Sequence, residues 1–474
     1  MPIAILRAAA REHPDRTAIA TADGSVTYAA LVARAEALGR GLLARGIDRF
    51  GIAVDDRIDA IALLAAAAAV GREACVYPGD LDAAGIAEHA ARFAHRTVVT
   101  DASDRSAPRP GDETVAAASV GQGVEPGLPS LLTVDDLDAG AGPATPPPGT
   151  APLLVLTTGT TGVPKGVEHE WGRLAAAVRR RPADDGHRWM LAYNLNQFGG
   201  IQVLIHALVH RGTIVVPRSS HAGDVIDALR REQVSHLSAT PTFWRIVVGG
   251  LHEADAAGLA LRQITLGGEP VPAPLLERIV ALFPDARVTH IYGATEFGTA
   301  IAVSDGLSGL PLSILDRDED APIRFRVVDG ELHVRSPLSV ARARETGNTA
   351  DDGWYASGDL VEERDGRLRF VGRSVEIINV GGAKVHPLPI EERILAVDGV
   401  DAAVVHGAPN PVTGQIVAVD VVVTDGADPD AIPRAIHAAC ADLPAPGRPR
   451  RIRIVDELQI RGQKVVRHRT EVPS

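Results

Sequence analysis

Lysine is scarce in this sequence. Of its 48 basic residues only three are lysine, Lys165, Lys384 and Lys464, and the other 45 are arginine. Each of the three stands beside glycines, in the segments TGVPKG, GGAK and GQK. An ammonium is a compact point charge that fits a crowded phosphate site, whereas a guanidinium is a planar fork. We therefore interpret the lysines as candidate ligand contacts, with chance survival as the open alternative for Lys384.

Cysteine and long apolar runs are also nearly absent. The two cysteines, Cys75 and Cys440, lack metal-ligand spacing, which argues against a disulfide framework and suits a reducing compartment. The apolar run at 61–70 is too short to cross a bilayer and predicts a buried helix. Charged residues interrupt the N-terminal apolar residues, so no signal-peptide core is predicted and we expect a cytoplasmic protein.

Positive charge is in deficit, because the formal net charge is −12 at pH 7. A nucleic acid or an anionic membrane needs a basic face, so neither is expected as a partner. Small anionic substrates remain compatible with local positive sites. The sequence leaves open whether the protein is a monomer or a homodimer.

The length of 474 residues predicts more than one folding unit. Residues 100–150 are rich in Ala, Gly, Pro, Ser and Asp and predict a surface excursion or linker. Short strands then alternate with helices, which predicts a helix-covered parallel sheet with ligands at the carboxyl ends of its strands. The predicted strands are 153–156, 190–193, 213–216, 236–238, 263–266 and 287–291. Asp329-Gly330 and Asp365-Gly366 predict hairpin turns.

The segment 157–166, TTGTTGVPKG, follows a predicted strand and carries the first lysine. Its backbone N–H groups and hydroxyls suit phosphate oxygens, and Lys165 adds charge. The segment is not a Walker P-loop, because Pro164 precedes the lysine and Gly166 follows it. An ordinary turn is the alternative for such a loop taken alone. The candidate phosphate contacts are Thr157, Thr158, Gly159, Thr160, Thr161, Gly162 and Lys165.

Further short motifs follow this loop in a characteristic order. They are GGEP at 267–270, YGATE at 292–296, YASGD at 355–359, GR at 372–373, GG at 381–382 and KVVR at 464–467, with VTYAAL at 26–31 near the start. With these motifs the chain resembles the acyl-adenylate-forming, or AMP-binding, superfamily. This superfamily contains acyl- and aryl-CoA ligases, peptide-synthetase adenylation domains and luciferases.

The resemblance implies an α/β fold with two domains. The larger, residues 1–373, would hold helix-flanked mixed and parallel sheets with a small β-barrel-like part, and would bind nucleotide and acid. The smaller, residues 374–474, would be a mobile α+β lid that carries the catalytic lysine.

The resemblance also implies a nucleotide site. Tyr292 would stack on adenine, and the backbone of Gly267, Gly268 and Glu269 would approach the other face of the ring, with Gly293 beside Tyr292. Asp359 would accept both ribose hydroxyls, for which a carboxylate has two oxygens. Arg373 would approach the ribose and phosphate from the domain junction. Taken singly, a core tyrosine, a solvated carboxylate and a surface arginine are the alternatives.

The catalytic residues implied by the resemblance are Thr295, Glu296 and Lys464. Thr295 would hydrogen-bond the α-phosphate, and Glu296 would be the Mg²⁺ ligand, since a hard cation prefers carboxylate oxygen. Lys464 would contact both the carboxylate and the α-phosphate, offsetting the repulsion between two anions. Gly381 and Gly382 would line the tunnel for the attacking thiol, and Lys384 would lie near phosphate or the acceptor in a second lid position.

Three departures from the family pattern concern the hinge, the tail and the substrate. Val375 stands where Asp or Lys is usual, and Gln463 separates Gly462 from Lys464. Gly199 stands where amino-acid adenylation domains have the Asp that pairs with the substrate ammonium. A buried unpaired ammonium is costly, so an ordinary α-amino acid is not expected. Residues 194–200 are the predicted acid segment, in which Gly199, with no side chain, is expected to leave room for an aryl or medium acyl group. The predicted acid pocket contains Asn196, Gln197, Phe198, Gly199, Trp244 and Ile291. Core packing is the alternative for Phe243 and Trp244.

Together these features predict an ATP- and Mg²⁺-dependent enzyme that activates a carboxylic acid as its adenylate. The acyl group would pass to the thiol of CoA or of a carrier protein's phosphopantetheine. Two alternatives stay open: a non-thiol acceptor such as an amine or an inorganic nucleophile, and an inactive nucleotide-binding regulator.

Overall fold

The computed structural model describes most of the chain. The described residues are 2–101, 128–138, 151–158, 164–178, 180–181, 186–251, 253–342, 353–424, 426–458, 460–461 and 464–465. They form two compact units. Unit 1 contains residues 1–238 and 259–261, and unit 2 contains residues 239–258 and 262–474. Within the described ranges, no helix has both the length and the apolar character needed to cross a bilayer.

Unit 1 contains eleven described strands and eight described helices. The strands are β1 (Thr17–Ala20), β2 (Ser25–Thr27), β3 (Arg49–Ala53), β4 (Glu73–Val76), β5 (Thr97–Thr100), β6 (Ser130–Thr133), β7 (Pro152–Thr158), β8 (Pro164–Glu170), β9 (Arg188–Leu191), β10 (Thr213–Val215) and β11 (His236–Ala239). The helices are α1 (Pro2–Glu12), α2 (Tyr28–Ala44), α3 (Arg57–Val70), α4 (Ala83–Arg92), α5 (Val134–Asp138), α6 (Trp171–Ala176), α7 (Phe198–Val209) and α8 (Ala222–Arg231).

The described strands of unit 1 form two groups, which pack with helices around two buried apolar clusters. The first sheet has the order β6-β5-β3-β4-β7-β8 and is parallel except for the β7–β8 hairpin. The second group has the order β2-β1-β10-β9-β11 and is parallel except for β1–β2. The predicted buried helix at 61–70 is confirmed, because every residue of α3 from Ala60 to Val70 is buried. Its N-cap Asp56 accepts hydrogen bonds from two backbone N–H groups of the first turn.

Part of the segment predicted as an excursion belongs to the sheet. Strand β6 pairs in parallel with β5, and α5 follows it directly. Leu137 of α5 is fully buried, and its carbonyl lies so close to Gly41 of α2 that no side chain fits there. A short apolar run inside Ala- and Pro-rich sequence was therefore enough to form an edge strand. The other residues of 102–127 and 139–150 lie outside the described residues.

Unit 2 contains six described helices and fifteen described strands. The helices are α9 (Pro241–Gly249), α10 (Glu253–Ala256), α11 (Ala273–Leu282), α12 (Pro337–Arg342), α13 (Pro387–Leu395) and α14 (Ile432–Ala439). The strands are β12 (Gln263–Gly267), β13 (Arg287–Ala294), β14 (Gly298–Val303), β15 (Leu310–Pro311), β16 (Arg324–Val328), β17 (Glu331–Arg335), β18 (Tyr355–Arg364), β19 (Arg367–Arg373), β20 (Ile378–Val380), β21 (Ala383–Val385), β22 (Val400–Asn410), β23 (Gly414–Val423), β24 (Arg451–Ile454), β25 (Ile460–Arg461) and β26 (Lys464–Val465).

These strands of unit 2 form four groups. Strand β12 pairs in parallel with β13, which continues into the antiparallel hairpin β13–β14. An antiparallel sheet of order β15-β19-β18-β17-β16 occupies the region predicted to be barrel-like. A third sheet contains β20 to β24, packed with α13 and α14 around its own apolar core. Strands β25 and β26 form a separate two-stranded ladder.

The predicted α/β class is confirmed. All six strands predicted between residues 153 and 291 are present, and the hairpins at Asp329-Gly330 and Asp365-Gly366 join β16 to β17 and β18 to β19. Along the chain, the main division between the two compact units follows Ser238, and this division does not test the predicted boundary. The domain boundary after residue 373 and the mobility of residues 374–474 therefore stay predictions.

Candidate active site

A hydrogen-bonded cluster around Asp359 is the centre of the candidate site in unit 2. The Tyr292 hydroxyl donates to Asp359 Oδ2 at 2.8 Å, and Arg373 Nε donates to Asp359 Oδ1 at 3.0 Å. Strands β18 and β19 place the latter pair, because Asp359 lies opposite Arg373 in their antiparallel register. Three predicted nucleotide-binding residues are thus brought together. Each carboxylate oxygen keeps a second lone pair that a ribose hydroxyl could use.

Charge and burial maintain the protonation states of Tyr292 and Arg373. Burial, followed by the charge of Asp359, raises the pKa of the Tyr292 phenol well above its ordinary value. The same carboxylate raises the pKa of Arg373. Tyr292 therefore remains a hydrogen-bond donor and Arg373 a cation at physiological pH. The Tyr292 ring lies 5.2 Å from the Phe370 ring and 5.6 Å from the Phe297 ring, between centroids, so its orientation is fixed by aromatic packing as well.

Local hydrogen bonds hold the backbone at Asp359. Ser357 Oγ accepts from the Asp359 N–H at 3.1 Å and donates to the Leu332 carbonyl. The Gly358 N–H donates to a Glu331 carboxylate oxygen at 2.8 Å. These hydrogen bonds attach the short motif 355–359 to the neighbouring strand β17 and so fix the position of the Asp359 backbone.

Thr295 and Glu296 lie in the tight turn between β13 and β14. Gly293 allows that turn, because a Cβ there would lie 2.8 Å from the Gly298 carbonyl oxygen. Ser336 donates its hydroxyl to the Phe297 carbonyl and so anchors the end of the turn. Thr295 is buried and Glu296 is partly exposed. Their predicted roles at the α-phosphate and the metal stay predictions.

Because Glu296 is the predicted Mg²⁺ ligand, its surroundings show whether the described residues could hold this ion. Among the described residues, no group of three or more His, Cys, Asp or Glu side chains has a metal-binding arrangement. Glu296 accepts no hydrogen bond from any described residue, so its oxygens are available. One available carboxylate fits Mg²⁺, which usually takes one or two protein carboxylates and fills its other positions with phosphate oxygens and water.

The segment Gly267 to Glu269 ends strand β12. Gly268 has φ +84°, and Glu269 accepts a hydrogen bond from the Thr242 N–H in the first turn of α9, at 3.0 Å. A carboxylate at a helix N-terminus is favourable for the helix itself. Glu269 therefore has a structural task, and the predicted approach of this backbone to adenine stays a prediction.

The predicted phosphate loop of unit 1 is described only at its edges. Thr157 pairs with Lys165 in the β7–β8 hairpin, and Lys165 is exposed. The side chain of Thr158 lies outside the described residues, as do Gly159, Thr160, Thr161 and Gly162 in full. The hairpin places the ammonium at the base of the loop, which is compatible with the predicted phosphate contact.

The predicted acid segment of unit 1 lies at the start of α7. Gln197 is the N-cap residue, and the Phe198 ring stacks on His169 of β8 with 5.3 Å between centroids. A Cβ on Gly199 would lie 3.0 Å from the ring of Tyr193. The room that the missing side chain was expected to leave for an acyl or aryl group is therefore filled in that direction by Tyr193. Asn196 to Gly199 are all partly exposed and remain pocket candidates.

The two pocket candidates of unit 2 differ in exposure. Ile291 is partly exposed on β13. Trp244 is fully buried, and its indole N–H donates to the Thr265 carbonyl at 3.1 Å. Phe243 is buried as well. Neither ring offers surface to a ligand in this structure. Phe243 and Trp244 therefore pack in the core, which is the alternative left open for them.

Gly381 and Gly382 form the two-residue turn between β20 and β21. Their φ angles are +57° and +87°, as a hairpin turn of this length requires, and the Gly381 N–H donates to the Thr413 carbonyl at 2.9 Å. Turn geometry alone therefore explains both glycines. A thiol tunnel along them stays a prediction.

The remaining predicted residues also lie in this C-terminal part of unit 2. Lys384 is exposed on β21, and Val375 is exposed in the short 3₁₀ helix Ser374–Glu376. Lys464 begins strand β26 and its backbone pairs with Arg461. Its side chain lies outside the described residues, so its catalytic role stays a prediction.

Two residues next to the acid segment were not predicted. Tyr193 covers Gly199, and Arg57 Nη2 donates to the Asn194 side-chain oxygen at 2.8 Å. Neither belongs to a motif. Both could have been found only from their positions shortly after predicted strands, because Arg57 follows the carboxyl end of β3 and Tyr193 follows that of β9.

Comparison with known proteins gives matches over both parts of the chain. The family model described as AMP-binding enzyme matches residues 6–343, and the model described as AMP-binding enzyme C-terminal domain matches residues 389–463. A feruloyl-CoA synthase of Amycolatopsis sp. is 28% identical over 449 residues, which cover 88% of this chain and 87% of that protein.

Solved structures show the same fold. The o-succinylbenzoate CoA synthetase of Bacillus subtilis, in complex with an acyl-adenylate intermediate, superposes with a TM-score of 0.74 at 22% identity, over 99% of this chain and 98% of that chain. An amide bond synthetase of Marinactinospora thermotolerans gives a TM-score of 0.75 at 23% identity, over 98% and 97%.

Proposed function

Because this chain belongs to the family of AMP-binding enzymes, whose two domain models match it in order, we propose that it activates a carboxylic acid with ATP and transfers the acyl group to a thiol. The predicted superfamily is thereby confirmed. The thiol is that of CoA or of a carrier protein, and the acid is an aryl or medium acyl acid. The similarity to a feruloyl-CoA synthase, whose name specifies an aryl acid and CoA, supports this choice.

The observation that carries the proposal is the Tyr292–Asp359–Arg373 cluster. The Tyr292 hydroxyl and the Arg373 guanidinium each hydrogen-bond to one oxygen of the Asp359 carboxylate, which brings an aromatic residue, a carboxylate with spare lone pairs and a cation together. This combination suits a nucleoside monophosphate, because adenine stacks, ribose donates two hydroxyls and phosphate is an anion.

The first step of the reaction forms the adenylate. A carboxylate oxygen of the acid attacks the α-phosphorus, the bond to the bridging oxygen breaks, and pyrophosphate leaves with the electron pair. Asp359 and Tyr292 would hold the nucleoside so that the α-phosphorus has a fixed position. Thr295 would donate a hydrogen bond to the α-phosphate, and Lys464 would neutralise both reacting anions. Mg²⁺ held by Glu296 would supply further positive charge at the phosphates.

The second step consumes the adenylate. The thiolate sulfur attacks the acyl carbonyl, a thioester bond forms, and AMP leaves from the carbonyl carbon. Lys464 is not needed in this step, because the leaving group is already an anion of low basicity. Lys384 and the Gly381-Gly382 turn lie in the same small sheet and are the residues proposed to face the thiol acceptor.

Pyrophosphate exchange into ATP tests the proposal directly. Exchange should depend on an added acid and should be strongest with an aryl or medium acyl acid rather than with α-amino acids. Mass analysis after addition of CoA should then show the acyl-CoA. If an added amine gives an amide and CoA gives no thioester, the acceptor is an amine and not a thiol. Absence of exchange with any acid, in folded protein, would refute the adenylating function.

A further inference from the structure

Arg57 lies where two strands of unit 1 reach their carboxyl ends. It is the first residue of α3, four residues after the end of β3, and it donates from Nη2 to Asn194 Oδ1 at 2.8 Å. Asn194 in turn follows β9 and begins the predicted acid segment 194–200. Ligands of open α/β sheets bind beyond the carboxyl ends of the strands. Arg57 therefore stands beside the segment predicted to hold the acid.

The guanidinium of Arg57 has no ion-pair partner among the described residues. Its one hydrogen bond there is to the neutral amide of Asn194, although a guanidinium has five N–H donors. Other arginines of unit 1 are paired: Arg34 with Asp59, Arg49 with Glu73, and Arg211 with Glu12. Arg57 is also only partly exposed. Among the described residues this half-buried cation forms no ion pair, which is costly and points to an anionic ligand.

The surroundings of Arg57 strengthen this argument. Burial lowers the pKa of Arg57, and the nearby charge of Asp55 acts in the opposite direction. As the first residue of a helix, Arg57 also meets the positive end of the helix dipole. Both effects disfavour a cation in the empty protein. An anionic ligand group would relieve both.

We propose that Arg57 recognises a second anionic group, a distal carboxylate, on the acid that this enzyme activates. The substrate class is then an aryl or acyl acid with two carboxylates, one activated and one bound by Arg57. Asn194 holds one nitrogen of the guanidinium and leaves the others free to form paired hydrogen bonds to a carboxylate. The inference rests on the proposed acid-activating function and adds the identity of the substrate's second group.

The test compares acids of the same shape that differ in one charge. Pyrophosphate exchange is measured with terephthalate and its monomethyl ester, and with adipate and its monomethyl ester. In at least one pair, the wild type should favour the diacid in kcat/KM by about tenfold or more, as expected for a charge-assisted hydrogen-bonded pair. Arg57→Gln should remove this preference through KM for the diacid, with KM for ATP changed less than about twofold.

Two further variants guard against an indirect effect. Arg34→Gln removes an ion-paired arginine from the same unit, and it should leave the preference for the diacid intact. If Arg57→Gln does not fold, as judged by circular dichroism, Arg57→Lys takes its place. It keeps the charge but loses the planar fork, so it should retain only part of the preference.

Three results would overturn the inference. The wild type could activate monoesters as well as diacids or better, Arg57→Gln could weaken both members of a pair equally, or it could raise KM for ATP, which would assign Arg57 to the phosphates. In each case exchange still occurs, and the adenylating function stands. Absence of exchange with every acid would refute that function and this inference together.

Discussion

Tyr292 and Asp359 are joined by a 2.8 Å hydrogen bond although 67 residues separate them in the chain. The bond ties the β13–β14 hairpin to strand β18, so the aromatic ring and the carboxylate proposed to bind adenine and ribose form one rigid pair. Arg373 of β19 donates a hydrogen bond to the other oxygen of the Asp359 carboxylate. Because this hydrogen bond holds the two side chains together, substitution of either Tyr292 or Asp359 should change the affinity for ATP.

Replacement of Asp359 by Ala should raise KM for ATP by about tenfold or more, because hydrogen bonds to a charged group contribute about 1.5–3 kcal/mol. Tyr292→Phe keeps the ring but removes the donor to Asp359, and it should raise KM for ATP less than Asp359→Ala does. Initial rates of pyrophosphate exchange at varied ATP give both values. Asp305→Ala is the matched control, since Asp305 also pairs with an arginine, Arg367, outside the proposed site. An ATP affinity unchanged in Asp359→Ala would remove this residue from the ribose site.

A methyl group on Gly199 should disturb the acid segment. In Gly199→Ala the new Cβ would lie 3.0–3.1 Å from three atoms of the Tyr193 ring, and such overpacking costs about 1–3 kcal/mol. We expect a lower free energy of unfolding and a higher KM for the acid, with KM for ATP little changed. Urea unfolding and exchange rates at varied acid measure these quantities.

Gly223→Ala is a matched control for Gly199→Ala. Both glycines occupy the second position of a helix, Gly199 in α7 and Gly223 in α8, but a Cβ on Gly223 meets nothing within 4 Å. Alanine is the better helix former, so this variant should be as stable as the wild type or slightly more so. Equal stability of the two variants would mean that Tyr193 does not restrict position 199.

The proximity of three of the predicted nucleotide-binding residues could be expected from sequence because each belongs to a short motif, whereas their binding of a nucleotide stays a prediction. Tyr292, Asp359 and Arg373 each stand in such a motif, and the structure brings all three together. Alternating strands and helices likewise predicted the sheets, since parallel strands are continuous apolar runs. Motif order and hydrophobic pattern are local properties, and both survive in a single sequence.

Contacts between distant segments could not be predicted in this way. Nothing in the sequence around Gly199 indicates that Tyr193 fills the space beside it, and nothing links Arg57 to Asn194, which is 137 residues away. The edge strand β6 was hidden by the composition of its flanks, because pairing with β5 and the burial of Leu137 outweigh the low local propensity. Such features depend on which surfaces meet, and a linear pattern does not specify that.

His206 should make the stability of unit 1 depend on pH. Burial, followed by the charge of His210, lowers the pKa of His206 to about 4, whereas the unfolded value is 6.5. Between these values the unfolded chain binds more protons than the folded one, so stability is complete above pH 6.5 and falls as the pH drops towards 4. The slope of the unfolding free energy against pH reports the number of protons taken up on unfolding, and His206→Gln should reduce that number by up to about one. Urea unfolding at several pH values measures the slope. An unaltered slope in His206→Gln would contradict the assignment.

Two of the three lysines, Lys464 and Lys384, allow the two half-reactions to be separated. Lys464→Ala should abolish pyrophosphate exchange, because two anions can no longer be brought together, yet it should spare thioester formation from a supplied acyl-adenylate. Lys384→Ala should show the opposite pattern, with exchange retained and thioester formation slowed, since Lys384 is proposed to face the acceptor. Both variants remove an ammonium, so each serves as the control for the other. Equal losses of both half-reactions in Lys464→Ala would contradict a separate role for this lysine in adenylation, and would favour a single lid position in which one set of cations serves both steps.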